Sequence, residues 1–200
     1  MLNIDFTRMS QRPPEIVDGD LRLRMPQVAD YDEWIALRET SRAHLTKWEP
    51  DWTQDDVSVD AFRARVKTQE KLQRAGVALS FFICDESSGK IVGGATLSDI
   101  RHHAAHSATI GYWIGAAHLR RGHGSAAVRL IVDHAFGPLR LNRVEAACQP
   151  GNGASIGLLT KLGFKQEGFA RDFLYINGAW RDHLLFAVTA RDYCGAPLAP

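Results

Sequence analysis

The stretch Leu119-Arg120-Arg121-Gly122-His123-Gly124-Ser125-Ala126 constrains this chain more than any other. It follows the strand-like run 108–115 and opens a helix-like run 123–136, which presents Ala127, Leu130, Ile131 and Ala135 at helical spacing. A strand, a short basic glycine loop and a helix together make a place for phosphate. Two glycines let the backbone curl so that successive N–H groups face one anion, with the positive end of the helix dipole behind them. Arg120 and Arg121 add fork-shaped donors at the rim. His123 lies inside the loop, where its main chain matters more than its ring. The segment predicts a site for a phosphorylated cofactor.

The spacing Gly122-x-Gly124-x-x-Ala127, with Glu145 about 20 residues on, formally matches the dinucleotide fingerprint. Three features argue against that reading. Residues 116–121 separate the strand from the first glycine, Glu145 falls inside the next strand-like run, and the preceding segments read as consecutive strands joined by short turns. No Lys-Ser or Lys-Thr follows the second glycine, so a Walker-type loop is excluded.

Along the chain, residues 21–25 alternate as a first strand and 29–41 read as a helix with Trp34, Leu37 and Ile35 inward. A loop broken by Pro50 follows, then a helix over 57–74, apolar at Phe62, Val66 and Leu72 and ended by Gly76. Residues 77–85 and 91–97 flank the turn Glu86-Ser87-Ser88-Gly89 as a hairpin. Strands near 144–149, 165–171 and 180–189 complete the set, with Asn177-Gly178 as a hairpin turn. The sum is α+β, a mixed and mostly antiparallel sheet with about four helices. The expected organisation is a tail over 1–18, one domain over 19–194 and a tail over 195–200.

Composition bounds the partners. The 200 residues are 45% hydrophobic and 24% charged, with a formal net charge of +1, so no global charge draws nucleic acid or an anionic membrane. Cys84, Cys148 and Cys194 are odd in number and widely spaced, which reads as free thiols in a reducing compartment, and Cys148 as a small core residue. No run reaches the ~18 apolar residues of a membrane span. The expectation is a cytoplasmic protein, monomer or homodimer. His102, His103 and His106 lack carboxylates or cysteines in register, so no metal site is expected.

The block Gln149-Pro150-Gly151-Asn152-Gly153-Ala154-Ser155, followed by Leu158-Leu159-Thr160-Lys161-Leu162-Gly163-Phe164, resembles the second half of the GCN5-related N-acetyltransferase (GNAT) domain. Residues 45–50 (Leu-Thr-Lys-Trp-Glu-Pro), 167–172 and 177–183 resemble one branch, the ribosomal-protein-alanine N-acetyltransferases. The resemblance runs from about Leu21 to Tyr193. It implies the GNAT-like acyl-CoA N-acyltransferase fold and acetyl-CoA as co-substrate, with no metal. It also implies direct attack on the thioester by the N-terminal α-amino group of a ribosomal protein. One departure is Leu119, where the family usually carries Gln or Arg three residues before the first glycine. Its side chain cannot hydrogen-bond phosphate, which leaves that contact to Arg120 and Arg121.

Acetyl transfer needs a neutral amine, a polarised carbonyl and a stabilised leaving thiolate. An α-amino group of pKa ~7.7–8 costs only about 1 kcal/mol to deprotonate at pH 7, against about 4.6 for lysine. A modest base suffices, if necessary through water. Glu49, between Trp48 and Pro50, and Glu145, beside the cofactor loop, are the candidate bases; each is also readable as a solvated acid. Ser155 is the candidate donor to the leaving sulfur, or a helix-start residue making a local bond. Asn152 is assigned to the cofactor arm or to a helix cap. Tyr112 and Tyr175 are possible proton donors, with packing as the plainer reading. Trp48, Glu49 and Tyr175 are assigned to the acceptor. The expected cofactor contacts are Trp113, Ile114, Arg120, Arg121, Gly122, His123, Gly124, Ser125, Asn152 and Ser155. A backbone N–H near Trp113–Gly115 is expected to polarise the carbonyl. Two other readings share this cofactor half: acetylation of a small amine (polyamine, amino acid or aminoglycoside), and a coenzyme-binding regulator or ribosome-assembly factor.

Overall fold

The computed structural model describes residues 14–193. Cys194 and both chain ends of the expected tails lie outside them. One eight-stranded sheet runs through the described residues, in the order β1-β2-β3-β4-β5-β6-β8-β7. The strands are β1 Ile16–Asp18, β2 Leu21–Arg24, β3 Leu79–Asp85, β4 Ile91–Arg101, β5 Ser107–Ile114, β6 Arg143–Cys148, β7 Lys165–Ile176 and β8 Ala179–Thr189. Every neighbouring pair is antiparallel except β5 with β6. The strand β1 falls where a tail was expected. It pairs Ile16–Asp18 with Leu23–Leu21, an exposed edge too short to show alternation in the sequence.

Among the described residues five α-helices accompany the sheet: α1 Tyr31–Thr40, α2 Arg42–Leu45, α3 Val59–Arg74, α4 His123–Phe136 and α5 Gly153–Lys161. The one-turn α2 is the helix beyond the expected four. Each long helix has a legible cause. In α3, Ser58 accepts a hydrogen bond from Ala61 N–H, and Phe62 and Val66 are buried one turn apart. It stops where Gly76, at φ +70°, returns its N–H to Gln73 O. Leu72, expected inward, is 38% exposed because the buried stripe of α3 runs through Phe62, Val66 and Gln73 and leaves Leu72 beside it.

The two faces of the sheet carry separate cores. On one, α4 buries Ala127, Val128, Leu130, Ile131 and Ala135 against Leu97, Ile110, Val144 and Phe186. Each fully buried Val, Leu or Ile is worth roughly 1.5–3 kcal/mol, so α4 is the main anchor. On the other, Trp34 of α1 and Phe62 of α3 pack with Trp52, Phe82 and Ile91, their rings 4.7 Å apart. Alternation along β5 sends Ile110, Tyr112 and Ile114 to the α4 side and Trp113 to the α1–α3 side.

The approach of β4 to β5 is tight. A Cβ on Gly93 would collide with the main-chain carbonyl of Trp113, and one on Gly94 would stand 2.6 Å from the Trp113 indole nitrogen. Neither obstacle is a flexible side-chain tip. Gly93→Ala is therefore expected to cost roughly 1–3 kcal/mol, lowering the thermal midpoint by about 3–10 °C in a calorimetric scan. An unchanged midpoint would contradict that packing.

Candidate active site

The parallel pairing of β5 and β6 covers only three steps, Ser107↔Arg143, Ala108↔Val144 and Thr109↔Glu145. Beyond Thr109 the strands part, although β5 continues to Ile114 along β4. Gly115 donates to Val92 O at 2.9 Å. Because N–H groups alternate along a strand, the N–H of Ile114 points away from β4, into the opening. The glycine loop sits at the end of β5, and α4 begins there.

In that loop Arg120 and Gly122 have φ of +60° and +85°, the left-handed conformation that turns the chain into α4. The first N–H groups of α4, from His123 to Ser125, have no acceptor within the helix. They face a cavity of about 660 Å³ lined also by Trp48, Glu49, Tyr112, Trp113, Ile114 and the start of α5. Its cationic lining comprises Lys47, Arg120 and Lys161, beside the imidazoles of His44, His118 and His123, against the single acid Glu49. Lys47, His118 and Lys161 were not singled out from the sequence, since each becomes a neighbour of the loop only through the fold. Of the expected cofactor residues, Trp113, Ile114, Arg120, Gly122, His123, Gly124, Ser125, Asn152 and Ser155 line this cavity. Arg121 does not; it is exposed and its neighbour Arg120 takes the inward place. Leu119 lines the cavity at 40% exposure.

Asn152 caps α5, its Oδ1 accepting from Ser155 N–H at 3.1 Å. That leaves the Ser155 hydroxyl free to meet the hydroxyl of Tyr112 at 2.7 Å. Burial pushes the Tyr112 phenol up to about 12, offset in part by the hydrogen bond with Ser155. Tyr112, set aside from the sequence as strand packing, thus has its hydroxyl in the site. The signal was its place one residue before Trp113 on the parting strand. Cys148 lies behind, 6% exposed, its thiol pushed up by burial and so poor as a nucleophile.

A second cavity of about 450 Å³ opens on the α1–α3 side, lined by Trp34, Arg38, Phe62, Arg65, Gln69 and Thr96 among others. Glu49, Tyr112 and Trp113 line both cavities and so mark their junction. Glu49 is held there by Arg38, at 2.8 Å to Oε1 and 3.1 Å to Oε2. Arg38 is only 9% exposed, with its guanidinium 4.0 Å from the Trp52 ring and 5.1 Å from that of Trp113.

Two expected residues fall elsewhere. Glu145 lines neither cavity; it pairs with Arg143 at 2.8 Å and Arg101 at 3.2 Å on the sheet beside Thr109. The alternation that puts Val144 and Ala146 into the core turns Glu145 away from the cofactor loop. Tyr175 is 56% exposed on the β7–β8 hairpin, against Trp180 at 5.7 Å between ring centres, and lines neither cavity. The ladder slips between Ala170 and Leu174, and Tyr175 lies in the largely exposed stretch of β7 beyond the slip. Among the described residues no helix is long and apolar enough to cross a membrane.

Comparison with known proteins agrees with this geometry. The family model for the acetyltransferase (GNAT) domain matches residues 20–165. The chain is 34% identical over 171 residues to "Probable N-acetyltransferase YjcK" of Bacillus subtilis, covering 85% of this chain and 94% of that one. It is 31% identical over 174 residues to the [ribosomal protein uS5]-alanine N-acetyltransferase of Escherichia coli, covering 86% and 90%. The solved structure of Mycobacterium smegmatis RimJ in complex with CoA-disulfide superimposes with a TM-score of 0.82 at 33% identity, covering 86% of this chain and 82% of that one. The chain belongs to the GNAT family of N-acetyltransferases.

A phenol with a raised pKa favours the fold fully below its unfolded value near 10, and that contribution is lost as pH rises toward 12. Tyr112 should therefore stay protonated across the working range. An ultraviolet phenolate titration from pH 8 to 10.5 should look alike for the native protein and Tyr112→Phe. Loss of a full tyrosine's signal in the variant would show that Tyr112 ionises normally.

Proposed function

We propose that this enzyme transfers the acetyl group of acetyl-CoA to the N-terminal α-amino group of a protein, with an alanine-starting ribosomal protein as the favoured acceptor. The observation that carries the reading is the junction of the two cavities at Glu49, Tyr112 and Trp113. The relatives named for a ribosomal alanine and for a coenzyme A complex support its two halves.

The pyrophosphate would lie on the N–H groups of His123–Ser125, with Arg120 and Lys161 near enough to balance its charge. The pantetheine arm would run between the parted strands, where β5 has main-chain groups without a β6 partner. The thioester carbonyl would then accept from the N–H of Ile114, a donor already fixed and needing no reorganisation as oxyanion charge develops. The amine enters from the α1–α3 side. Glu49 receives its proton, directly or through water, at an ordinary pH cost for an α-amine.

Tyr112 and Ser155 sit where the sulfur must leave. A phenol near 12 would lose about 5 kcal/mol in passing its proton fully to a thiolate whose acid has a pKa of ~8.5. Its part is therefore to hydrogen-bond the developing thiolate, with Ser155 fixing its direction, while the thiol's final proton comes from the amine. Glu145 and Tyr175 have no part in this scheme.

The test is thiol release from acetyl-CoA with an alanine-starting peptide from a ribosomal protein, the same peptide α-blocked, and a panel of polyamines and aminoglycosides. Turnover is expected only with the free α-amine. Tyr112→Phe should lower kcat by about 10²-fold while acetyl-CoA affinity stays within a few-fold. Turnover on small amines alone would contradict the acceptor assignment, and unchanged kcat in Tyr112→Phe would contradict its role.

A further inference from the structure

The cavity on the α1–α3 side has three charged residues in its lining: Arg38, Arg65 and Glu49. Arg38 and Glu49 neutralise each other as an ion pair at 2.8 Å, which leaves the charge of Arg65 in surplus. It lies 5.1 Å from the Trp34 ring and gives one hydrogen bond, of 3.3 Å, to the main-chain carbonyl of Asp56. The Asp56 carboxylate is turned to Thr53, accepting from its N–H at 2.9 Å and its hydroxyl at 2.8 Å. No ion pair joins Arg65 to an acid among the described residues.

The same cavity has polar atoms buried without a partner. They are Nε of Arg38, on a residue only 9% exposed, Oε1 of Gln69, and Oε1 of Glu49, which meets Arg38 as an ion pair but accepts no hydrogen bond. Gln69 follows Arg65 by one turn of α3, so both project from one wall. A fork of donors stacked on tryptophan, backed by an unsatisfied guanidinium N–H, is chemistry built to meet a planar anion.

We infer that this wall reads a carboxylate on the acceptor close to the reacting amine, and that Arg65 sets specificity for it. The inference rests on the proposed α-amine acetylation and adds its substrate class: N-termini with Asp or Glu as the second or third residue. Arg65 stands at the solvent-exposed mouth, so its preference is modest and weakens with salt.

The experiment compares kcat/KM for alanine-starting hexapeptides with Glu, Gln or Lys at position two, and with Glu or Gln at position three, at low ionic strength. The native enzyme should favour Glu over Gln at one of these positions by about fivefold, mainly through KM, and disfavour Lys. Arg65→Gln should bring the Glu-to-Gln ratio to about one, and Arg65→Lys should keep part of it. Each ratio is measured within one protein, so a loss of folded fraction cancels. A native ratio near one at both positions, or a ratio that survives in Arg65→Gln, would overturn the inference while leaving α-amine acetylation standing. Absence of turnover on every peptide would overturn both.

Discussion

Everything functional in this fold follows from the parting of β5 and β6 after Thr109. A parallel pair needs a long crossover, and here that crossover contains α4, whose N-terminus therefore lands at the end of β5. The same divergence strips β5 of a partner on one edge, leaving main-chain groups open to a ligand. A cofactor that offers phosphate at one end and amide groups along its arm answers both needs. The buried face of α4 keeps this arrangement rigid.

The second constraint is the Arg38–Glu49 pair. Glu49 comes from an irregular loop, an unreliable place for a group that must meet an amine, and Arg38 from α1 fixes it there. Trp52 and Trp113 stack on the guanidinium, and a polar pair so enclosed holds its geometry better than one in water. Tyr112 and Trp113, adjacent on β5, face opposite sides of the sheet and so bound the two cavities at one point.

Much of this was legible in the letters. The glycine loop, the Asn-x-x-Ser helix start and Asn177-Gly178 are local signals, each tied to a left-handed or capped backbone, and each stands where expected. Strand and helix order followed from periodicity. The misreadings share a cause, since which edge of an element faces the cleft depends on pairing. Glu145 and Val144 alternate in the sequence without saying which side holds the ligand. Tyr175 was assigned to the acceptor, and it stands exposed on a hairpin that lines neither cavity. Tyr112 read as packing because a hydroxyl's partner, here Ser155 forty-three residues on, is invisible until the sheet forms.

The account's central claim is that cofactor and acceptor approach from opposite cavities and meet at Glu49, Tyr112 and Trp113. A crystal structure with coenzyme A covalently joined through its sulfur, by an acetyl bridge, to the α-amine of an alanine peptide tests it directly. The account predicts the pyrophosphate on His123–Ser125, the bridge beside Tyr112, and the peptide leaving between Trp34, Arg38 and Trp113. A peptide that instead leaves across the β7–β8 hairpin, past Tyr175 and Trp180, would contradict it.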